Sequence, residues 1–251
     1  FEVSGRGELQ LGVLIETMRR EGFELAISRP RVVMQLDENC KKLEPYETVM
    51  VDVDEEYQGT VVEKMSKRKA ELVGMVPSGA GKVRLTFDAP ARGLIGYHGE
   101  FLTDTRGTGI MNRSYDRYDV YKGPIRGRAR GVLIANAAGK IREYALFGLE
   151  DRGTIMVQPG IEAYEGMIIG EHIRDNDLEV NVQKFKQLTN MRASGKDDAV
   201  KITTPKTLPL EQALAYINDD ELVEVTPVSI RLRKRHLLAH ERKKASRDAV
   251  A

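Results

Sequence analysis

EEYQGTVVEKMSKRKAELVGM, residues 55–75, is the stretch whose reading decides the fold. Tyr57, Val61, Val62 and Met65 fall at spacings that place them on one side of a helix running from Glu55 to Ala70. Leu72 to Val76 is apolar and extended, so the helix hands over to a strand. Upstream, Thr48 to Val53 is rich in β-branched residues, alternates in part and reads as another strand. Downstream, Val83 to Phe87 reads as the partner of Leu72 to Val76, joined to it by the turn Pro-Ser-Gly-Ala-Gly. A second helix is predicted from Leu94 to Asp104, leaving through Arg106-Gly-Thr-Gly, and Ile110 to Tyr121 returns to extended structure. The order βαββαβ predicts a ferredoxin-like domain: an antiparallel sheet with both helices on one face.

The segment before it reads strand, turn, helix, strand. SGRGELQLG (residues 4–12) poses a choice, because two glycines ahead of a helix could cradle a phosphate. Glu8 would repel that phosphate, a P-loop needs Lys followed by Ser or Thr, and Gln10 stands where a dinucleotide fingerprint needs glycine. The stretch is therefore a strand–turn–helix corner. Its helix carries Leu11, Leu14, Ile15 and Met18 on one face, Glu8 at its start and Arg19 and Arg20 at its end. With the extended stretches Glu24–Ile27 and Arg31–Leu36, this makes a partial ferredoxin-like unit. Such a half-unit is expected to fray, or to cover its sheet edge with another copy.

Beyond Gly123 and Pro124 the texture changes. Strands are expected at Arg130–Ala135, Arg142–Phe147, Thr154–Val157 and Gly166–Arg174, which suggests a mainly β, barrel-like C-terminal domain. A polar stretch interrupts it, followed by a helix near Pro209–Ile217, the strand-like LVEV and SIRLR, and a basic tail. The expected architecture is multidomain α+β, with domains at 1–42, 43–122 and 123–251 and a basic loop at 181–206.

At 251 residues and 41% hydrophobic content the chain can bury a sizeable core, and no apolar run approaches membrane-span length. Cys40 is the only cysteine, which excludes an internal disulfide and fits a reducing compartment. There is no signal-peptide pattern, and the opening Phe-Glu-Val-Ser reads as mid-strand, as though the chain were part of something longer. The net charge of +1 conceals segregation. Asp37 to Glu63 holds nine acids against Lys41 and Lys42, whereas Arg231 to Arg247 holds eight cations against Glu241. Basic islands on a near-neutral chain point to nucleic acid on one face.

Sequence signatures of chemistry are absent. His236 and His240 have helical ligand spacing, but Leu237 occupies the position where a zincin carries Glu, and the tail is strongly basic. His172 near Asp175 and Asp177 reads as a hydrated strand end. No serine or cysteine sits in a nucleophile motif, so no catalytic and no metal-binding residue is assigned. The candidate RNA-binding residues are Lys184, Lys186, Asn190, Arg192, Lys196, Lys201 and Lys206 in the loop, with Arg231, Arg233, Lys234 and Arg235 in the tail. Two lesser islands are Arg126, Arg128, Arg130, Lys140 and Arg142, and Lys67, Arg68 and Lys69.

Several stretches resemble a known superfamily. GRGELQLGVLIETMRREG (5–22) resembles the third domain of elongation factor G-like translational GTPases. EEYQGTVVEKMSKRKAELVGM, ARGLIGYHGEF (91–101) and TRGTG (105–109) resemble the fifth. NDLEVNV (176–182), LTNMRASGKDDAV (188–200) and DDELVEVTPVSIRLRKRHL (219–237) resemble the C-terminal domain of the BipA/TypA branch. The resemblance covers essentially the whole chain. It implies that 1–42 is the second half of domain III, 43–122 is domain V, and 123–251 is the branch-specific domain. It also implies that the GTPase domain, with its GTP and Mg, lies outside this chain, which itself carries no cofactor and no enzymatic activity. The implied partners are the ribosome, through rRNA of both subunits, the tRNA acceptor end and ribosomal proteins. The implied setting is cytoplasmic, with no membrane, in translation under stress and large-subunit assembly. Oligomeric state is left open, and the alternative function is a protein-binding or dimerisation module using the acidic 37–63 face.

Overall fold

The computed structural model describes residues 1–125, 127–185 and 202–248. The chain begins with helix α1 (Glu8–Arg20) and strands β1 (Leu25–Ser28), β2 (Gln35–Leu36) and β3 (Lys42–Asp54). Then come α2 (Gln58–Lys67), β4 (Glu71–Gly79), β5 (Lys82–Pro90), α3 (Ala91–Leu94), α4 (Tyr97–Asp104) and β6 (Ile110–Val120). The remainder comprises β7 (Val132–Ala135), β8 (Gly139–Lys140), α5 (Glu143–Phe147), β9 (Gly153–Ile155), β10 (Glu162–Ala163), β11 (Ile168–His172) and β12 (Leu178–Val180). It closes with α6 (Leu210–Tyr216), β13 (Glu221–Val225), β14 (Ile230–Lys234) and α7 (Ala239–Asp248). These elements form two compact units: Pro30–Gly127, and Phe1–Arg29 together with Arg128–Ala251.

In the unit 30–127, β6, β3, β5 and β4 lie in that order, every neighbour antiparallel, with β2 added beside the start of β3. The two-residue period of a strand sends Val49, Val51 and Val53 of β3 to the same face as Val83, Leu85 and Phe87 of β5. There they pack on Val61 and Met65 of α2, Leu94 of α3, and Tyr97 and Phe101 of α4. The βαββαβ order is thus present and consistent with a ferredoxin-like unit. The single helix predicted over 94–104 is divided by Gly96, whose φ of 71° is a left-handed conformation that ends one helix and starts the next.

The other unit corrects three expectations. First, no closed barrel exists among the described residues. The sheets are open: β12-β7-β11-β9, with β12 parallel to β7; β10-β8; and β1-β13-β14. Val132 and Ile134 of β7 face α6 and the β13–β14 hairpin, whereas Leu133 and Ala135 face the cluster with Ile141, Leu146 and Ile169. A strand buried on both faces reads as a continuous apolar run, which is why VLIA does not alternate. Second, Arg142–Phe147 is not a strand. It carries α5, whose Ala and Leu favour helix, with Glu143 in the first turn and Gly148 at the C-cap.

Third, the sheet edge of the N-terminal half-unit is covered within the chain. Its β1 pairs antiparallel with β13, Leu25 opposite Val225 and Ile27 opposite Val223. Arg19 of α1 donates to the carbonyl of Thr226 at 2.8 Å. Residues 1–5 form no strand, so the turn at Gly5 to Gly7 enters α1 from irregular backbone.

Gly131 marks a close approach at the start of β7. A Cβ there would lie 2.2 Å from the Asn176 carbonyl oxygen, so only glycine lets the 174–177 turn fold against the strand. That turn places Asp177, whose Oδ1 accepts from the Val132 N–H at 2.9 Å. None of the helices among the described residues is long and apolar enough to cross a membrane.

Candidate nucleic-acid interface

Period-two alternation in β14 separates the basic tail into two sets. Leu232 and Lys234 turn inward; Arg231 and Arg233 turn toward the other face. Lys234 is 2% exposed and its Nζ lies 2.6 Å from Asp177, 2.7 Å from Asp220 and 2.9 Å from Glu221. Glu221 is fully buried and also takes a two-pronged pair from Arg128, at 2.8 and 3.0 Å. Burial pushes the Glu221 carboxyl up, but Arg128 and Lys234 outweigh it and hold the group below its ordinary value. Burial likewise opposes the charge on Lys234, and Glu221, Asp177 and Asp220 together raise it. Three carboxylates occupy the three N–H donors of this ammonium, so its charge closes the fold instead of facing a phosphate.

The other tail candidates are placed differently. Arg233 forms an ion pair with Glu224 at 2.8 Å and donates to the carbonyls of Lys234 and Arg235. Arg231 is half-buried opposite Glu224 in the hairpin register. Arg235 is exposed, and its backbone N–H donates to the Asp220 carbonyl at 2.8 Å. In the loop, Lys184 and Lys206 are exposed, and the Lys206 N–H donates to the Ile155 carbonyl, fixing the returning chain beside β9. Lys186, Asn190, Arg192, Lys196 and Lys201 lie outside the described residues, as does Arg126 of the entry island.

The structure adds residues that basic-island counting missed. A groove of about 420 Å³ opens between α5 with the turn after it and the exit of β12. Tyr144, Phe147, Arg152, Glu179, Asn181 and Lys184 line it. Arg142 holds its guanidinium 4.5 Å above the ring of Phe185, the residue after Lys184. Glu179 is paired to Arg242 of α7 at 2.9 Å, which brings the basic C-terminal helix to the groove wall. Among the described residues Arg152 and Lys184 form no ion pair. The sequence signal was available: aromatic residues interleaved with cations over 142–152.

The acidic belt, by contrast, is largely consumed inside its own unit. Glu44 is fully buried against Arg92; Glu47 pairs with Arg113, Asp52 with Arg84 and Glu63 with Lys67. Asp37 accepts two backbone N–H groups, and Asp54 accepts from Thr108. Glu38, Glu55 and Glu56 remain exposed. The island at 67–69 is similarly engaged, with Arg68 donating to the Gly93 carbonyl and pairing with Glu100. His172 is buried with Nδ1 2.6 Å from the Asn176 carbonyl, and no cluster of His, Cys, Asp or Glu among the described residues suits a metal.

The antiparallel βαββαβ unit is consistent with a ferredoxin-like domain of the elongation factor G type. The model described as elongation factor G C-terminus matches residues 41–128, within the first unit apart from its last residue. The model described as TypA/BipA C-terminal domain matches residues 130–239. The chain belongs to the BipA/TypA family. It is 57% identical over 252 residues to the large ribosomal subunit assembly factor BipA of Haemophilus influenzae, covering 100% of this chain and 41% of that protein. The proteins of the same name from Escherichia coli K12 and Bacillus subtilis are 54% and 52% identical, each over 98% of this chain. The chain thus spans about two fifths of the length of these relatives (41% and 40% for the latter two).

Proposed function

We propose that this chain is the ribosome-docking part of a BipA/TypA-like GTPase, acting in assembly of the large subunit and in translation under stress. It contributes charge and shape, while GTP binding and hydrolysis belong to a domain beyond this chain. The relatives' name, large ribosomal subunit assembly factor, supports the setting. The observation that carries the RNA reading is the convergence of Lys184 and Arg152 on one groove whose Glu179 is paired to Arg242, with the start of loop 181–206 in its lining. Phosphates are bound there by counterion release. Domain assignment follows the same reading: 1–42 as part of domain III, 43–122 as a ferredoxin-like domain V, and 123–251 as the branch-specific domain.

On this reading, rRNA and the tRNA acceptor end are the contacts of the loop and its neighbours Lys184, Lys206, Arg231 and Arg235. Lys186, Asn190, Arg192, Lys196 and Lys201 extend the same surface by sequence. Ribosomal proteins and the small subunit are contacted by the remaining surface, in the cytoplasm. Co-sedimentation with ribosomes across a salt series tests this. The chain is expected to pellet with ribosomes at low salt, and a variant with Lys184, Lys186, Arg192, Lys196 and Lys201 changed to Ala to lose most of that binding. Equal binding by both would sink the RNA reading and return attention to Glu55 and Glu56.

A further inference from the structure

The groove beside α5 carries more than charge. Phe185 is 68% exposed, Phe147 51% and Tyr144 42%. Apolar rings gathered at one opening cost free energy in water unless a ligand covers them. Tyr144 and Phe147 are three apart on α5, so both leave the same side of the helix, and both line the groove. Arg152 and Lys184 line it too, and Glu179, the carboxylate among its described lining residues, is paired to Arg242. Arg142 adds a cation against Phe185.

Duplex RNA would offer this opening its phosphates but keep its bases stacked away from the rings. Unpaired nucleotides supply both parts, a π-face for an aromatic side chain and a phosphate for a neighbouring cation. The volume of about 420 Å³ lies in the range of pockets that enclose small ligands. We infer that the α5–β12 groove binds unpaired nucleotides of an RNA strand, with bases stacked on Tyr144 and Phe147 and phosphates held by Arg152 and Lys184. This rests on the RNA docking proposed above and adds which form of RNA the surface selects. A ribosomal protein loop is the competing occupant; the cations around the opening favour the polyanion.

The test uses the full chain and two labelled probes, an oligouridylate of about ten nucleotides, within the site size of a small stacking platform, and a duplex of equal length. Fluorescence anisotropy is expected to show preference for the single strand. Changing Tyr144→Ala with Phe147→Ala is expected to weaken that binding about tenfold, the loss of roughly one stacked base, with the salt slope unchanged. Tyr144→Phe with Phe147→Tyr is expected to restore it, which separates stacking from folding. Changing Arg152→Ala with Lys184→Ala should weaken both probes and flatten the salt slope. Equal affinity for both probes, or an unaltered double-Ala variant, overturns this inference while leaving RNA docking standing. A parent chain that binds neither probes nor ribosomes overturns both. A double-Ala variant that keeps the oligonucleotide but loses ribosomes gives the groove to a protein loop.

Discussion

Glu221 is fully buried and holds two cations, and its removal has a specific cost. Replacing Glu221 by Ala leaves Arg128 without its carboxylate and Lys234 with two partners in place of three. Breaking a buried pair in this way is expected to destabilise the unit by about 3 kcal/mol or more, readable in denaturant melts. The pH dependence follows from the directions of the shifts. The folded Glu221 carboxyl sits below its ordinary 4.5, so its contribution is present above that value and lost as pH falls through the folded pKa. Lys234 is raised above its ordinary 10.5, so its contribution is complete below that value and lost as pH rises through the folded pKa. Melting temperatures of Glu221→Gln and the parent should therefore differ by a constant amount near neutral pH and converge in acid. A gap that persists undiminished to the lowest folded pH would contradict this assignment.

At the scale of elements, β1 shows how an edge is managed. β13 and β14 alone would leave the β13 ladder open, and β1 closes it with a register that puts Leu25 and Ile27 over the core of Val223, Val225 and Leu214. Ile27→Asp places a charge in that contact. Faster amide exchange is expected along β13, with protection in β3 and β5 unchanged; slow exchange throughout would mean the strand is dispensable. Gly131→Ala is expected to destabilise the same unit, because the new methyl meets the Asn176 carbonyl and displaces the turn that presents Asp177 to Lys234. A rise in melting temperature would refute that.

Over the whole molecule, the two units carry separate buried ion pairs, Glu44 with Arg92 in one and Glu221 with Arg128 in the other. Each unit has its own core, and domains so built unfold in their own right. Calorimetry should resolve two transitions, with Glu44→Gln moving one and Glu221→Gln the other. A single transition shifted by either change would show the units to be one cooperative body. Charge acts at this scale too. Each phosphate contact adds about 0.9 to the steepness with which log affinity falls against log salt, so removing Lys184, Lys206, Lys243, Lys244 and Arg247 should flatten that dependence for ribosome binding.

Much of this was legible without coordinates. Residues 43–122 announced their βαββαβ order because both periodicities, 3.6 in Val61 and Met65 and 2 in Val49 to Val53, are local properties of the chain. The family motifs were legible for the same reason, being contiguous. The candidate site was legible in part: the sequence carried the basic islands and the aromatics interleaved with cations over 142–152, but could not sort them. Lys234 and Arg128 looked like Arg235 in a list of charges, and only the distant Glu221, Asp177 and Asp220 decided that two of the three are internal. The mispredicted 142–147 strand has a like cause. A short apolar run serves helix or strand, and packing of Leu146 into the cluster with Ile169 settled it. The sequence by itself thus determined the elements, the charge segregation and the family. The tertiary structure alone decided which edge β1 covers, which cations are held in internal ion pairs, and that Tyr144, Phe147 and Lys184 share one groove. Those facts depend on residues far apart in the chain, whose contact energies no local pattern encodes.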